Sequence, residues 1–152
     1  MYKIAVYTPP GQEPWDDAVT LVLQYADIPF DKLWVPEVLS RKLERYEWLH
    51  LHHEDFTGQY GKFYATYRNI RWYQRKVHEF ETAAHDAGFA TVPQHKSAGA
   101  RAIPAFVGKG GFLFAMCLAT DTLDIALSAL DTDIVGTEID HTPVDSDYAA
   151  KL

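Results

Sequence analysis

The only cysteine of the chain, Cys117, stands between an apolar run and an amphipathic segment. The run from Phe112 to Met116 follows a Gly110-Gly111 turn, and its composition predicts a buried parallel strand. Apolar residues then recur with helical spacing: Leu123, Ala126, Leu127 and Leu130. Three side chains ahead of them offer N-cap oxygens: Thr120, Asp121 and Thr122. A strand, a nucleophilic side chain, a sharp turn and a helix follow one another in the order of a nucleophile elbow.

Such an elbow would give Cys117 a chemical role. The helix N-terminus favours the thiolate, and the backbone N–H of Leu118 would point toward an oxyanion formed in acyl transfer. The crowded positions two residues before and after the cysteine hold small side chains, Ala115 and Ala119. The charge of Asp121, within one turn, opposes thiolate formation. The alternative is that Cys117 is a small buried hydrophobic residue that ends a core strand.

A second group of reactive side chains surrounds His52. If a strand ends there, His52 and His53 could supply a base with Glu54 as its orienting carboxylate, as a cysteine nucleophile requires. In another interpretation, His52, Glu54 and Asp55 bind a divalent metal. In a third, the segment is a polar loop. The predicted oxyanion or ligand contacts are Leu118, Asp55, Thr57, Gly58, Thr120 and Asp121.

The remaining pattern predicts the elements that position these residues. Strands are expected over 2–8, 31–38, 46–52 and 112–116, with Pro36 at a strand end or sheet edge. Helices are expected over 18–26, opened by Asp16-Asp17, then over 62–85, 96–107 and the segment after Cys117. Pro104 should shorten, kink or divide its helix, and Thr91-Val92-Pro93 should separate two helices.

This order predicts a three-layer α/β sandwich with a mainly parallel sheet. Ligands in such sheets bind outside the carboxyl ends of the strands, so residues 9–11, 52–61 and 117–121 should share one rim. Residues 1–152 should form a single domain. Its last part, about 131–152, is acidic, with a short strand at Ile134-Val135 and an irregular end.

The net charge and the apolar content of the chain exclude several classes of partner. The formal charge of −7 argues against nucleic acid and anionic membranes as partners. No apolar run reaches the length of a membrane span, and no long apolar segment follows the first residues, so a cytoplasmic location is expected. A small-molecule ligand is the expected partner, and no cofactor is predicted.

Four runs together resemble one bacterial family. Two are short, VYTPP at 6–10 and PWDDAVT at 14–20. Two are long, WLHLHHEDFTGQYGKFY at 48–64 and GGFLFAMCLATDTLDIA at 110–126. The chain resembles proteins of Bacteroidetes that are labelled asparagine synthetase B and contain a domain similar to class I glutamine amidotransferases.

The resemblance implies a flavodoxin-like α/β sandwich with Cys117 as nucleophile. It also implies that the chain is the core of a longer protein. Ala115 and Ala119 stand where the usual amidotransferase elbow has glycines, and no His-x-Glu pair follows Cys117. The leading hypothesis is therefore cysteine-dependent amide hydrolysis or acyl transfer with His52 or His53 as base. The alternatives are a non-catalytic ligand-binding or interaction domain and a metal-dependent site at 52–55.

Overall fold

The computed structural model describes residues 3–10, 18–58 and 61–152, which form a mixed α/β fold as the sequence predicts. The strands are β1 (Ile4–Tyr7), β2 (Phe30–Leu33), β3 (Trp48–Leu51) and β4 (Phe112–Ala115). The longer helices are α1 (Ala18–Tyr25), α3 (Gly61–Tyr67), α4 (Arg71–Asp86), α5 (Val92–Gly108) and α6 (Leu118–Ser128). The short helices are α2 (Val35–Leu39), α7 (Thr137–Asp140) and α8 (Tyr148–Lys151), with a 3₁₀ turn at Lys42–Arg45.

The four strands form one parallel sheet in the order β2-β1-β3-β4. β3 and β4 pair in register from Trp48 opposite Phe112 to Leu51 opposite Ala115. Parallel strands end at the same edge of a sheet, so the segments after β3 and β4 emerge side by side. The His52 and Cys117 segments therefore share a rim, as the sequence predicts. Gly11, Gln59 and Tyr60, predicted for the same rim, lie outside the described residues.

The prediction that β4 is buried is wrong on one face. Leu113 and Ala115 pack against the main core, whereas Phe112 and Phe114 are 56% and 42% exposed. β4 is an edge strand of the described sheet, and the exposure of Phe112 and Phe114 shows that the described residues cover this face of it incompletely. His50 stacks on Phe114 there, with ring centroids 5.7 Å apart.

Each face of the sheet has its own apolar cluster. Alternate residues of β1 point to opposite faces, and Ala5 and Tyr7 join the larger cluster with α2, α4, α5 and α6. Ile4 and Val6 join the smaller cluster with Leu23 of α1. Helices therefore lie on both faces of the sheet, which is the expected layering. Among residues 3–10, 18–58 and 61–152, no helix combines the length and apolar character needed to cross a membrane.

The second strand is shorter than predicted, because Pro36 lies in the first turn of α2 rather than in a strand. The Glu37 side chain accepts the Trp34 N–H at 3.1 Å, which satisfies an N–H that precedes the helix. Proline is favoured at this position because the first helical N–H groups have no intrahelical acceptor.

Two helix boundaries also differ from the prediction. The expected helix over 62–85 is divided into α3 and α4 by residues 68–70. Thr91-Val92-Pro93 begins α5 instead of breaking the chain, and the Thr91 hydroxyl accepts the Gln94 N–H at 3.4 Å. Pro104 lies inside α5 without dividing it.

The first helix and the C-terminal segment also require corrections. α1 buries Thr20 and Leu23, whereas Val22, which the helical spacing predicts on the same apolar face as Leu23, is 62% exposed. Its predicted opening at Asp16-Asp17 lies outside the described residues. Ile134-Val135 is not a strand, although Val135 is buried in the fold.

The C-terminal segment, residues 131–152, is predicted to have an irregular end, but short helices and hydrogen bonds order parts of it. α7 and α8 interrupt it, and the Thr142 hydroxyl lies 2.7 Å from a carboxylate oxygen of Asp140 and 3.0 Å from one of Asp133, so its single proton can be donated to either. These hydrogen bonds bring the acidic side chains of the segment together around one hydroxyl group.

Because His95 is buried, we expect the folded protein to lose stability in mild acid. Its ring is 1% exposed between Trp34 and Phe89, and burial lowers its pKa from the ordinary 6.5 to about 4. Between those values the unfolded chain binds a proton that the folded chain does not, so stability falls as pH falls. The full difference in unfolding free energy is about 3.5 kcal/mol, at about 1.4 kcal/mol per pKa unit.

Urea unfolding between pH 7 and pH 4 measures this effect. We expect His95→Leu to lose less stability over that interval than the parent protein. The exposed His85, replaced in His85→Leu, should leave the pH dependence unchanged. Parallel pH curves for the parent and His95→Leu would contradict the assignment.

Candidate functional site

Cys117 occupies a strained turn between β4 and α6. It is the N-cap of α6, with φ 53° and ψ −136°, and its side chain is exposed. The predicted cap at Thr120, Asp121 or Thr122 is therefore wrong, because the helix begins before those residues. Arg41 and His141 also have positive φ, but their ψ angles of 18° and 13° place them in the ordinary left-handed region. The backbone of Cys117 is in a sparsely populated region that costs about 1–3 kcal/mol.

The segment after β3 supports this turn through the backbone. The Met116 N–H donates to the Leu51 carbonyl at 3.0 Å, and the Ala119 N–H donates to the His52 carbonyl at 3.1 Å. The Thr122 hydroxyl of α6 donates to the Glu54 carbonyl at 2.8 Å. Ala119, the first residue of the helix after Leu118, is fully buried. The strand-turn-helix order therefore forms an elbow whose conformation is fixed by its neighbours.

The strain at Cys117 can be measured by substitution. Cys117→Gly and Cys117→Ala both remove the thiol, but only glycine adopts positive φ with little steric cost. We expect Cys117→Gly to exceed Cys117→Ala in unfolding free energy by about 1–2 kcal/mol. The exposed Asp124 within α6 is the matched control, where alanine should be favoured by up to about 1 kcal/mol. Equal stability of the two Cys117 variants would show that the turn is not strained.

Two imidazoles lie beside the sulfur. His52, His53 and Cys117 each place one nitrogen or sulfur atom within 4.8 Å of the other two. The two imidazole ring centroids are 3.6 Å apart. His53 and Cys117 are exposed and His52 is half-buried, so the group faces solvent. An imidazole at this range can exchange a proton with the thiol after a small side-chain rotation, since catalytic hydrogen bonds tighten when substrate binds.

Glu54, by contrast, is bound to a lysine. Its carboxylate forms an ion pair with Lys96 of α5, with side chains 4% and 2% exposed. The Lys96 ammonium also donates to the Asp55 carbonyl at 2.6 Å. The structure therefore attaches the loop after β3 to α5 through one buried cation. Glu54 and Asp55 are not part of the group that contains His52, His53 and Cys117.

The other loop residues named from sequence have local structural contacts. The Asp55 carboxylate accepts from the backbone N–H of Thr57 at 2.9 Å and from its hydroxyl at 2.6 Å. Gly58 has φ 74°, and a Cβ there would lie 3.0 Å from the backbone of Pro93. Glycine is thus required by close packing of this loop against the first turn of α5. Thr57 also lines a cleft of about 540 Å³ together with residues of α5 and of the segment after α6.

The N-terminus of α6 leaves one N–H for a ligand. The Ala119 N–H is bound to His52, and the Thr120 N–H donates to the Cys117 carbonyl at 3.2 Å. Within the described ranges, the Leu118 N–H donates to no protein acceptor. The Thr120 hydroxyl donates to the Cys117 carbonyl at 2.7 Å, and the exposed Asp121 lies in the same first turn. Leu118 is therefore the backbone donor next to the sulfur that can stabilise an oxyanion.

Sequence reasoning missed the role of Lys96. Lys96 shares the buried face of α5 with Val92, Gly99 and Ile103. A lysine within an apolar helical stripe indicates a buried ion pair, because a buried lysine requires an opposite charge. The partner is Glu54, which stands 42 residues away in the sequence. Only the fold brings Glu54 and Lys96 together, so the sequence alone does not identify the pair.

Comparison with known proteins adds no assignment: no family model, no curated protein and no solved structure matches the chain.

Proposed function

We propose that this chain is a cysteine-dependent hydrolase or acyl-transfer domain with Cys117 as its nucleophile. The observation that carries the proposal is the combination of a strained strand-helix turn, an exposed thiol and two adjacent imidazoles. A buried cysteine that only fills a core would need neither the strain nor the imidazoles. Strain of this kind is concentrated at functional sites.

The chemistry follows from these positions. The Cys117 sulfur, as thiolate, attacks the carbonyl carbon of an amide or ester, and the Leu118 N–H binds the resulting oxyanion. The protonated imidazole of His52 or His53 gives its proton to the leaving amine or alcohol as the bond to it breaks. The same imidazole then takes a proton from water, which attacks the thioester, releases the acid and regenerates the thiolate.

The fold also supports the resemblance to class I glutamine amidotransferase-like domains in proteins labelled asparagine synthetase B. The strand order β2-β1-β3-β4 equals the first four positions of the flavodoxin-like order. In folds of this type a ligand binds at the carboxyl ends of the strands, where Cys117 lies. We therefore propose a flavodoxin-like domain that takes a small amide or an activated ester as substrate.

An activated ester tests the proposal without knowledge of the natural substrate. With p-nitrophenyl acetate we expect a burst of about one nitrophenolate per chain, because acylation of the cysteine precedes slow deacylation. Cys117→Ala should lower the rate by at least about a thousandfold. The control variant His85→Ala, at an exposed histidine of α4, should react as the parent does. An undiminished burst from Cys117→Ala would place the reaction elsewhere.

A further inference from the structure

We propose that His52, His53 and Cys117 also form a binding site for one Zn²⁺ ion. Two imidazole nitrogens and one sulfur meet at this point, and no described carboxylate belongs to the group. Thiolate and imidazole are the donors that Zn²⁺ prefers, whereas Mg²⁺ and Ca²⁺ prefer oxygen. One sulfur and two nitrogen donors therefore favour Zn²⁺ or a similar transition-metal ion over Mg²⁺ and Ca²⁺.

The geometry is close to that of a zinc site. Zinc bonds of about 2.0–2.3 Å in a tetrahedron place neighbouring ligand atoms about 3.3–3.8 Å apart. The three donor atoms here lie within 4.8 Å of one another, and the side chains of His53 and Cys117 are exposed. Binding therefore requires the remaining distances to shorten, and these two exposed side chains are the ones that would have to rotate.

The backbone that carries the ligands is already fixed. The Ala119 N–H to His52 carbonyl hydrogen bond joins the histidine segment directly to the cysteine turn. Little ordering is then needed when the metal binds, which favours affinity. Three protein ligands leave a fourth position of the tetrahedron open to water or to another ligand. Binding releases the thiol proton to solvent, because the metal coordinates the thiolate.

Zinc at this site would block the chemistry proposed above. A zinc-bound sulfur cannot attack a carbonyl, and both candidate bases would have a nitrogen occupied by the metal. Metal binding itself does not require that Cys117 be catalytic. Only the inhibitory consequence rests on the proposed function, and the two are tested by separate measurements.

Co²⁺ is the probe for binding, because a cobalt–thiolate bond gives a charge-transfer absorption in the near ultraviolet. We expect one Co²⁺ per chain with this absorption, displacement by Zn²⁺ and no competition from Mg²⁺. Cys117→Ser should abolish the absorption, and His53→Ala should weaken binding by at least about tenfold. The control variant His85→Ala should bind as the parent does. Circular dichroism checks that each variant is folded.

Several outcomes would overturn the site. They are Co²⁺ binding without charge-transfer absorption, equal affinity in Cys117→Ser, or a His85→Ala variant weakened as much as His53→Ala. Alkylation of Cys117 by iodoacetamide is the second measurement, and Zn²⁺ should slow it while a chelator restores the rate. Cobalt binding without any ester burst would retain the metal site and reject the hydrolase. A burst without cobalt binding would do the reverse.

Discussion

Lys96→Met should destabilise the protein by about 3–5 kcal/mol, a large fraction of the stability of a domain of this size. The side chain of Lys96 is 2% exposed and that of its partner Glu54 is 4% exposed. Methionine keeps the shape of the side chain but removes the charge. Glu54 is then left buried with no cation, and the Asp55 carbonyl loses the ammonium donor that lies 2.6 Å away. Urea unfolding followed by circular dichroism measures the change.

Two further variants distinguish a buried pair from general core damage. Lys96→Met combined with Glu54→Leu removes both charges and should be more stable than the sum of the single losses predicts. Asp131→Asn breaks the exposed ion pair between Asp131 and Arg101, and little or no change in stability is expected. A loss below about 1 kcal/mol for Lys96→Met would show that the pair does not hold the loop.

The buried pair also links stability to the site. Glu54 and Asp55 lie directly after His52 and His53, so the cation on α5 fixes the end of the histidine segment. Loosening this segment should lower the ester burst rate even under conditions where Lys96→Met remains folded. The effect would identify Lys96 as a positioning residue, provided that the rate of the folded variant is compared at equal folded fraction.

Replacing both imidazoles should produce the second large effect, on activity rather than stability. His52→Ala with His53→Ala removes every candidate base within the described group around Cys117. General acid–base catalysis contributes about 10²–10⁴-fold, so the burst rate should fall by that factor at neutral pH. The single variants show which imidazole is the base, since loss of the other should have a small effect.

Added imidazole provides the control for this prediction. A small base in solution should restore part of the activity of the double variant, because it can take the place of the missing imidazole side chains. Rescue of this kind would not follow from a structural defect. A double variant with the parent burst rate would remove both histidines from the mechanism.

The elbow at Cys117 is predictable from sequence because its signals are local. A glycine turn, an apolar run and a helical repeat meet at Cys117, and each signal depends only on neighbouring residues. Parallel pairing then brings the segments after β3 and β4 together, because parallel strands end at one edge. The proximity of His52 and His53 to Cys117 follows from the same topology.

The predictions that are wrong depend on distant contacts or on ambiguous residues. The sequence places Glu54 beside the histidines, but a charge on α5 holds its carboxylate in the interior. The apolar composition of β4 resembles that of a buried central strand, whereas in the structure β4 is an edge strand whose Phe112 and Phe114 are exposed. Pro36 and Pro93 indicate breaks in the sequence pattern, although both stand in the first turn of a helix.

Mass spectrometry of the protein after reaction with p-nitrophenyl acetate tests the central claim most directly. The proposed mechanism predicts one acetyl group on the peptide that contains Cys117, formed by the folded parent and absent from Cys117→Ser under the same conditions. Hydroxylamine should remove the group, since a thioester reacts readily with this nucleophile. An unmodified Cys117 in the folded protein, or acetylation confined to lysines, would contradict the assignment of Cys117 as nucleophile.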